Sequence, residues 1–310
     1  MTGHIEKNDI GVGRMELRNL QTFSKVCETM SFSRAAEELG YAQSTVTAQV
    51  AQLEEELGVP LFDRSGKRFR LNAKGEELLA YANRLTALAD EARASVSDDR
   101  TPRGLLRLGT IDSLGTALLP AVLREYLLAC PQVRVQVLTG STREILEMLR
   151  QGRIDLMLTL DEKLHDPDLV CAWEREEDIL FLCAPGHPFA GKEISLAQAV
   201  EENLLLTEQR CNYRGALERT CTTECLPLRS SLEVGNTSMI LEYTKQNMGL
   251  SLLPRLIAQE ALKEGSLATF SVREFQLTMS IQLVYRQSKW CSPAMETFVD
   301  NLKKEGEKSR

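Results

Sequence analysis

The sequence is short of the residues on which most catalysis and metal binding depend. Its 310 residues hold three histidines: His4 near the start, His165 in an acidic stretch, and His187 between glycine and proline. No two stand at a metal or catalytic spacing. There is no GxSxG, no HExxH, no phosphate-binding glycine loop and no dinucleotide fingerprint. These absences argue against an enzyme, a metal centre or a cofactor. The eight cysteines are scattered without a CxxC pair, so in a reducing compartment most are expected to be free thiols. No apolar run approaches bilayer length. The first fourteen residues lack the apolar core of a signal peptide. Together these lead to the expectation of a cytoplasmic protein without membrane contact. A net charge of −7 argues against non-specific polyanion binding by the whole molecule, but leaves room for a local basic site.

What is present is an ordinary soluble composition, 43% hydrophobic and 26% charged, in a length sufficient for two or three compact units. Near the start, Leu20, Phe23, Cys27 and Met30 recur at helical spacing and predict a buried face. Ser33 is the expected cap of a second helix that turns Ala35, Ala36 and Leu39 inward. Gly40 follows where a helix end turns left-handed. A third helix buries Val46, Val50, Leu53 and Leu57. Its opposite face carries Ser44, Ala48 and Gln52, with Gln43, Thr45 and Thr47 at the N-terminal edge. That is a helix-turn-helix pattern. Short polar side chains let a backbone approach a major groove and exchange hydrogen bonds with base edges, while the helix N-terminus favours phosphate. Ser33 and Arg34 join this expected DNA contact set. The plainer reading is a solvated face on a small helical bundle.

The next stretch, VPLFDRSGKRFRLN, favours the DNA reading. Two short strands, around Leu61–Phe62 and Phe69–Leu71, flank a turn at Ser65 and Gly66. Arg64, Lys67 and Arg68 cluster at that turn, with Arg70 beyond it. A basic hairpin beside a recognition helix is a wing whose cations can meet phosphate or enter the minor groove. Residues 15–72 hold seven basic and eight acidic side chains, so the positive field is local to the wing.

Four ordered motifs now come together: A-A-x-x-L at 35–39, Q-S-T-V-T at 43–47, L-E-x-E-L-G-x-x-L-F-x-R at 53–64 and L-N-x-x-G at 71–75. This run resembles the N-terminal domain of LysR-type transcriptional regulators. Two departures are visible: Ala42 stands where members often have Ser or Thr, and Asn72 where many have Thr. Asn is an equally good helix cap.

From residue 73 to about 97 one long helix is expected. Leu78, Ala82, Leu85, Ala89, Ala92 and Val96 form a heptad seam. The seam either packs on its own domain or pairs two subunits. In the resembling family this linker helix makes the dimer, which implies a homodimer and, through it, a homotetramer. Residues 97–104, SDDRTPRG, read as a hinge.

The remainder alternates strands and helices in βαβαβ order, which implies a parallel sheet with right-handed crossovers. Residues 114–130 are expected to form one helix. A second set follows, with strands at 179–183, 204–206, 231–234 and 250–253 and helices at 213–220 and 238–247. A strand at 279–285 and a helix at 293–303 then return to the first sheet. GNTSMILEYTKQNMGLSLLP (235–254) and APGHPFA (184–190) resemble the effector domain of the same family. The expected fold is therefore α/β: a winged helix-turn-helix, a long linker helix, and a two-lobed effector-binding domain resembling type 2 periplasmic binding proteins. The expected domains are an extension at 1–14 taken as disordered, the DNA-binding domain at 15–72, linker and hinge at 73–103, and the effector domain at 104–310. Lobe I would hold 104–174 and 271–310, and lobe II 175–270.

Ligands of such sheets sit at strand C-terminal ends against helix N-termini. The residues expected there are Thr110, Asp112, Ser113, Gly140, Ser141, Thr142, Thr159, Thr207, Asn236, Thr237 and Ser238. Singly, each reads equally as a helix cap; a site would lie in their convergence. Arg143 and Arg214 are cationic candidates and Asp112 opposes them. The expected effector is a small anion, with an amino-acid-like zwitterion as the second choice. A solute-binding protein is the alternative for residues 104–310, but it has no need of the first hundred residues. Cys211, Cys221 and Cys225 lie close in sequence, with Arg210 and Arg214 flanking the first. A peroxide-sensing branch of the family uses two cysteines in about this region; ordinary packing is the competing reading.

Overall fold

The computed structural model describes residues 15–63, 69–95, 100–289 and 291–308. It divides into two compact units, the first running through the long helix and the second beginning just before residue 100. The expected extension at 1–14, the wing tip and part of the 97–104 hinge lie outside the described residues.

In the first unit α1 (Leu17–Thr29), α2 (Phe32–Leu39) and α3 (Gln43–Leu57) precede β1 (Phe62–Asp63), β2 (Arg70–Leu71) and α4 (Ala73–Ser95). The helical periodicity sets the packing. Leu20, Phe23 and Val26 of α1, Ala35 and Ala36 of α2, and Val46, Val50 and Leu53 of α3 share one core with Leu61 and Phe62. Phe62 stacks on Phe69 with centroids 4.5 Å apart and meets Phe23 edge-on at 5.6 Å, while Phe32 lies 5.1 Å from Phe69. Such ring pairs add about 0.5–1.5 kcal/mol each beyond burial and fasten the antiparallel β1–β2 pair to α1 and α2.

The start of α4 needs a glycine. A Cβ on Gly75 would stand 2.2 Å from the Leu61 carbonyl oxygen and 2.5 Å from Leu71 Cδ1. Asn72 caps α4 as expected, accepting from Gly75 N–H at 2.9 Å, and its amide donates to Pro60 O at 2.8 Å. Glu54 accepts from Leu61 N–H at 2.8 Å and holds the chain entering β1.

Three expectations change here. The cap of α2 is Ser31, which accepts from Arg34 N–H at 3.4 Å, because the helix begins at Phe32; Ser33 lies within its first turn. Met30 stays out of the core: it ends α1 in the left-handed region, φ 49°, and is exposed. Leu78 and Ala82, the first seam positions, pack into the helix-turn-helix core. That core reaches further along α4 than a heptad reading allows. The large apolar side chains exposed on α4 are Tyr81, Leu85 and Leu88.

The second unit is a ten-stranded mixed sheet with helices. It opens with β3 (Gly104–Thr110), α5 (Asp112–Ala117), α6 (Leu119–Ala129), β4 (Val133–Thr139), α7 (Thr142–Arg150) and β5 (Leu156–Asp161). A long strand β6 (Leu169–Cys183) leads into β7 (Glu193–Ile194), α8 (Leu196–Glu201), β8 (Leu204–Leu206), α9 (Asn212–Thr223) and β9 (Leu232–Glu233). Then come α10 (Thr237–Lys245), β10 (Leu250–Pro254), α11 (Arg255–Lys263), β11 (Ala268–Val272), β12 (Leu277–Arg286) and α12 (Pro293–Lys308). As the βαβαβ order requires, β3 pairs in parallel with β4 and β5. β12 runs antiparallel between β5 and β6. The first part of β6 pairs with β12 and its last residues with β10 and β11. One strand thus carries the sheet from the half built on β3, β4, β5 and β12 to the half built on β8 to β11.

Residues 114–130 do not form one helix. The break at Leu118 separates α5 from α6, and Pro120 in the first turn of α6 explains it, since proline is tolerated there and not in a helix interior. Four elements escaped the sequence reading: β7, α8, α11 and β11. α8 nonetheless carries a full capping box, Ser195 with Gln198.

Candidate functional site

Two surfaces gather the predicted residues. On α3, Val46, Val50 and Leu53 are fully buried, so the helix has one fixed orientation. Gln43, Ser44, Thr45, Thr47, Ala48 and Gln52 are all exposed, as are Ser33 and Arg34. Some of these side chains are already positioned. The Ser33 hydroxyl donates to Gln43 Oε1 at 2.9 Å, and Thr47 Oγ1 donates back to the Gln43 carbonyl at 2.9 Å. Gln52 Nε2 donates to Glu56 at 3.0 Å, which ties the far end of the row to an acid. From behind, Thr22 of α1 donates to Gln49 at 2.8 Å. No sequence signal marked that bond, which fixes the roll of α3 against α1. Ala42 precedes α3 without a side-chain cap, so no capping oxygen occupies the first N–H groups of the helix. Arg64, Lys67 and Arg68 lie outside the described residues.

The second surface is a cavity of about 260 Å³ in the second unit, lined from both halves of the sheet. Seven predicted residues meet there: Asp112, Ser113, Gly140, Ser141, Thr142, Thr207 and Thr237. Four others do not line it. Thr110 is fully buried beneath. Thr159 supports Thr142 from behind, with hydroxyls 2.9 Å apart. Asn236 caps α10 by accepting from Met239 N–H at 3.0 Å, and Ser238 faces solvent. The missed lining residues include Ile111, Glu144, Leu160, Glu208, Asn212 and Tyr213; Arg210 also lines the cavity, having stood out in the sequence only as a neighbour of Cys211.

Polar bonds cross the cavity. Asp112 of α5 accepts from the Thr237 N–H at 2.9 Å, its hydroxyl at 2.7 Å, and Asn236 Nδ2 at 3.2 Å. A carboxylate from one half therefore sits on the N-terminus of α10 in the other, where the helix dipole favours it. Arg210 donates to Glu144 at 2.9 Å. Asn212 Nδ2 reaches Thr142 Oγ1 at 2.9 Å and Leu160 O at 3.1 Å. The Ser141 N–H and hydroxyl also donate to Glu144, and with Arg210 they hold its carboxyl below the usual carboxylate range.

The two expected cations are elsewhere. Arg143 is exposed and does not line the cavity. Arg214 is buried and fully engaged by Glu218 and Glu233, each at 2.8 Å, and by the Thr207 carbonyl. Neither flanking arginine activates Cys211: burial raises its thiol pKa, as it does for Cys221. Cys225 is exposed just past α9, with φ 54°. Both flanking arginines are thus engaged by carboxylates, Arg210 by Glu144 and Arg214 by Glu218 and Glu233. Among the described residues no group of His, Cys, Asp and Glu could hold a metal, and no helix is long and apolar enough to cross a membrane.

A groove-sized polar face on a rigidly packed helix-turn-helix, joined to a two-part α/β domain around a small polar cavity, defines a DNA-binding protein that also takes a small ligand. Comparison with known proteins gives the family. Residues 17–76 match the bacterial regulatory helix-turn-helix protein, lysR family, and residues 99–307 match the LysR substrate binding domain. The chain is 31% identical over 297 residues to the uncharacterized HTH-type transcriptional regulator YwqM of Bacillus subtilis, covering 94% of this chain and 99% of that one. It is 30% identical to the HTH-type transcriptional regulator CzcR of Bacillus cereus over 288 residues, 93% and 97% of the two chains. Among solved structures, a full-length OxyR variant of Pseudomonas aeruginosa aligns with a TM-score of 0.73 at 21% identity, covering 97% and 96%. CbnR in complex with its target DNA aligns at 0.62 and 24% identity, covering 94% and 99%. The chain belongs to the LysR family: it is a transcription regulator with a helix-turn-helix DNA-binding domain and an effector-binding domain.

Proposed function

We propose that the exposed row on α3 reads base edges in a major groove, that the wing cations at 64, 67 and 68 contact phosphate, and that an effector in the cavity sets the regulatory state. The observation that carries the reading is the set of bonds across the cavity. Asp112, Glu144 and Asn212 join the two halves through groups that a small polar ligand would compete for. A ligand that displaces or bridges them changes the angle between the halves. In a dimer paired through α4, with Tyr81, Leu85 and Leu88 at the contact, and in a tetramer of two such dimers, that change alters the spacing of the recognition helices and the bend of the DNA. The protein works in the cytoplasm, and its effector is an anionic or zwitterionic metabolite. A footprint of the protein on the DNA upstream of its own gene, with and without candidate metabolites, tests the reading. The footprint should change length or gain a hypersensitive position with effector. A footprint indifferent to every ligand that binds the cavity would overturn the coupling.

A further inference from the structure

The sequence favoured an anion for the cavity because several helix N-termini point there. In the structure two of those termini are already filled by the protein's own carboxylates: α7 by Glu144 and α10 by Asp112. The terminus of α9, a twelve-residue helix, is different. Its cap position is Cys211, which forms no side-chain cap hydrogen bond. Thr207, just before it, lines the cavity, is 5% exposed, and has a buried hydroxyl without a hydrogen-bond partner. Next to Thr207 stands Glu208, an exposed lining residue whose carboxylate makes no hydrogen bond or ion pair among the described residues. The lining holds three carboxylates, on Asp112, Glu144 and Glu208, against one guanidinium, on Arg210. With Asp112 on the α10 terminus and Glu144 joined to Arg210, the charge left unanswered is that of Glu208.

A plain anion would enter a cavity already in excess of negative charge and find two of its anion positions taken. A molecule with both an ammonium and a carboxylate, a short distance apart, answers both loose ends. We infer that the effector is an α-amino acid with an uncharged side chain, its ammonium held by Glu208 and its carboxylate by the N-terminus of α9 beside Thr207. Ile111 and Leu160 supply the apolar wall for the side chain. Its carboxylate would meet the N–H of Asn212, the first of the helix, which has no intrahelical acceptor, while the next two N–H groups, of Tyr213 and Arg214, face the Cys211 thiol. The inference rests on the reading of this cavity as the effector site.

The test uses the full-length protein and three series of probes: neutral aliphatic and hydroxylated L-amino acids, the acids lacking their amine, and the amines lacking their carboxyl. Succinate serves as the dianion control. Binding is read by calorimetry and by thermal unfolding. At least one amino acid should bind saturably and raise the melting temperature, while its two truncated partners at equal concentration do not. Glu208→Gln should raise its Kd at least about tenfold, a loss of about 1.4 kcal/mol, and Glu208→Asp, which keeps the charge, should retain part of the affinity. The inference is overturned if no amino acid binds, if the deaminated acid or succinate binds as tightly, or if Glu208→Gln leaves Kd unchanged. Retention of upstream DNA by the ligand-free protein is read separately, so a silent amino-acid panel with DNA binding intact defeats this inference and leaves the regulator reading standing.

Discussion

Replacing Asp112 should weaken the closed cavity more than any other single polar change in it. Asp112 Oδ2 accepts two hydrogen bonds from Thr237 and Oδ1 one from Asn236, and Thr237 is almost wholly buried. A hydrogen bond to a charged group contributes about 1.5–3 kcal/mol, and loss of a helix cap typically costs about 1 kcal/mol. These bonds share one carboxylate, so they do not add fully. The expected cost of Asp112→Ala is about 2–4 kcal/mol. Asp112→Asn keeps an acceptor for the Thr237 N–H but loses the charge at the helix terminus and turns an amide toward a donor. Its expected cost is about 1–2 kcal/mol. Both tryptophans, Trp173 and Trp290, belong to the second unit's stretch of sequence, so tryptophan fluorescence during thermal unfolding of the intact protein reports that unit. At about 2–4 °C per kcal/mol for a domain of this size, Asp112→Ala should melt roughly 4–16 °C below the wild type, with Asp112→Asn between them. If both variants melt within about 1 °C of the wild type, the bonds across the cavity contribute nothing measurable and do not hold the two halves together.

In the first unit, Gly75→Ala forces a methyl group against the Leu61 carbonyl and Leu71, and should cost about 1–3 kcal/mol by overpacking; circular dichroism should show the helical transition of that unit lowered while the tryptophan transition stays in place. Glu144 has a depressed pKa, so its contribution is complete above the ordinary glutamate value and is lost as pH falls through the lowered one. Glu144→Gln should therefore flatten the acid limb of the tryptophan-reported stability profile, and an identical limb would contradict the assignment. Cys211 and Cys221, raised by burial, should react with a thiol reagent at pH 8 far more slowly than exposed Cys225; a fast Cys211 would restore the redox reading.

Much of this was legible in the residue order, for physical reasons that differ by region. Helical periodicity placed α1 to α3 because each buries one stripe against a single small core, so spacing and burial coincide at Leu20, Phe23, Val46 and Val50. The same logic failed at α4. Leu78 and Ala82 fit a heptad, but a period says which side chains share a face and not what covers that face. Strand-end and helix-cap chemistry located the cavity through Asp112, Ser141, Thr142 and Thr237. It also drew in Thr110 and Thr159, which share the strand ends but point into the core, since side chains alternate across a sheet. The charged lining was not legible, because Glu144 meets Arg210 and is set against Glu208 only by tertiary placement, with Arg210 and Glu144 66 positions apart in the chain. Arg214 reads as a loose cation in sequence and is locked by Glu233, nineteen residues away.

Whether the α3 face reads sequence is decided at Gln43. Binding of the full-length protein to its own upstream site and to a random duplex is measured by fluorescence anisotropy at one fixed salt concentration, for the wild type and for Gln43→Ala. A side chain in a good base contact contributes about 1–3 kcal/mol of discrimination. If the α3 face reads base edges, Gln43→Ala weakens the specific site by about that amount and leaves the random duplex nearly unchanged. An equal loss on both duplexes would show that Gln43 touches only phosphate, and no loss on either would place the α3 face off the DNA.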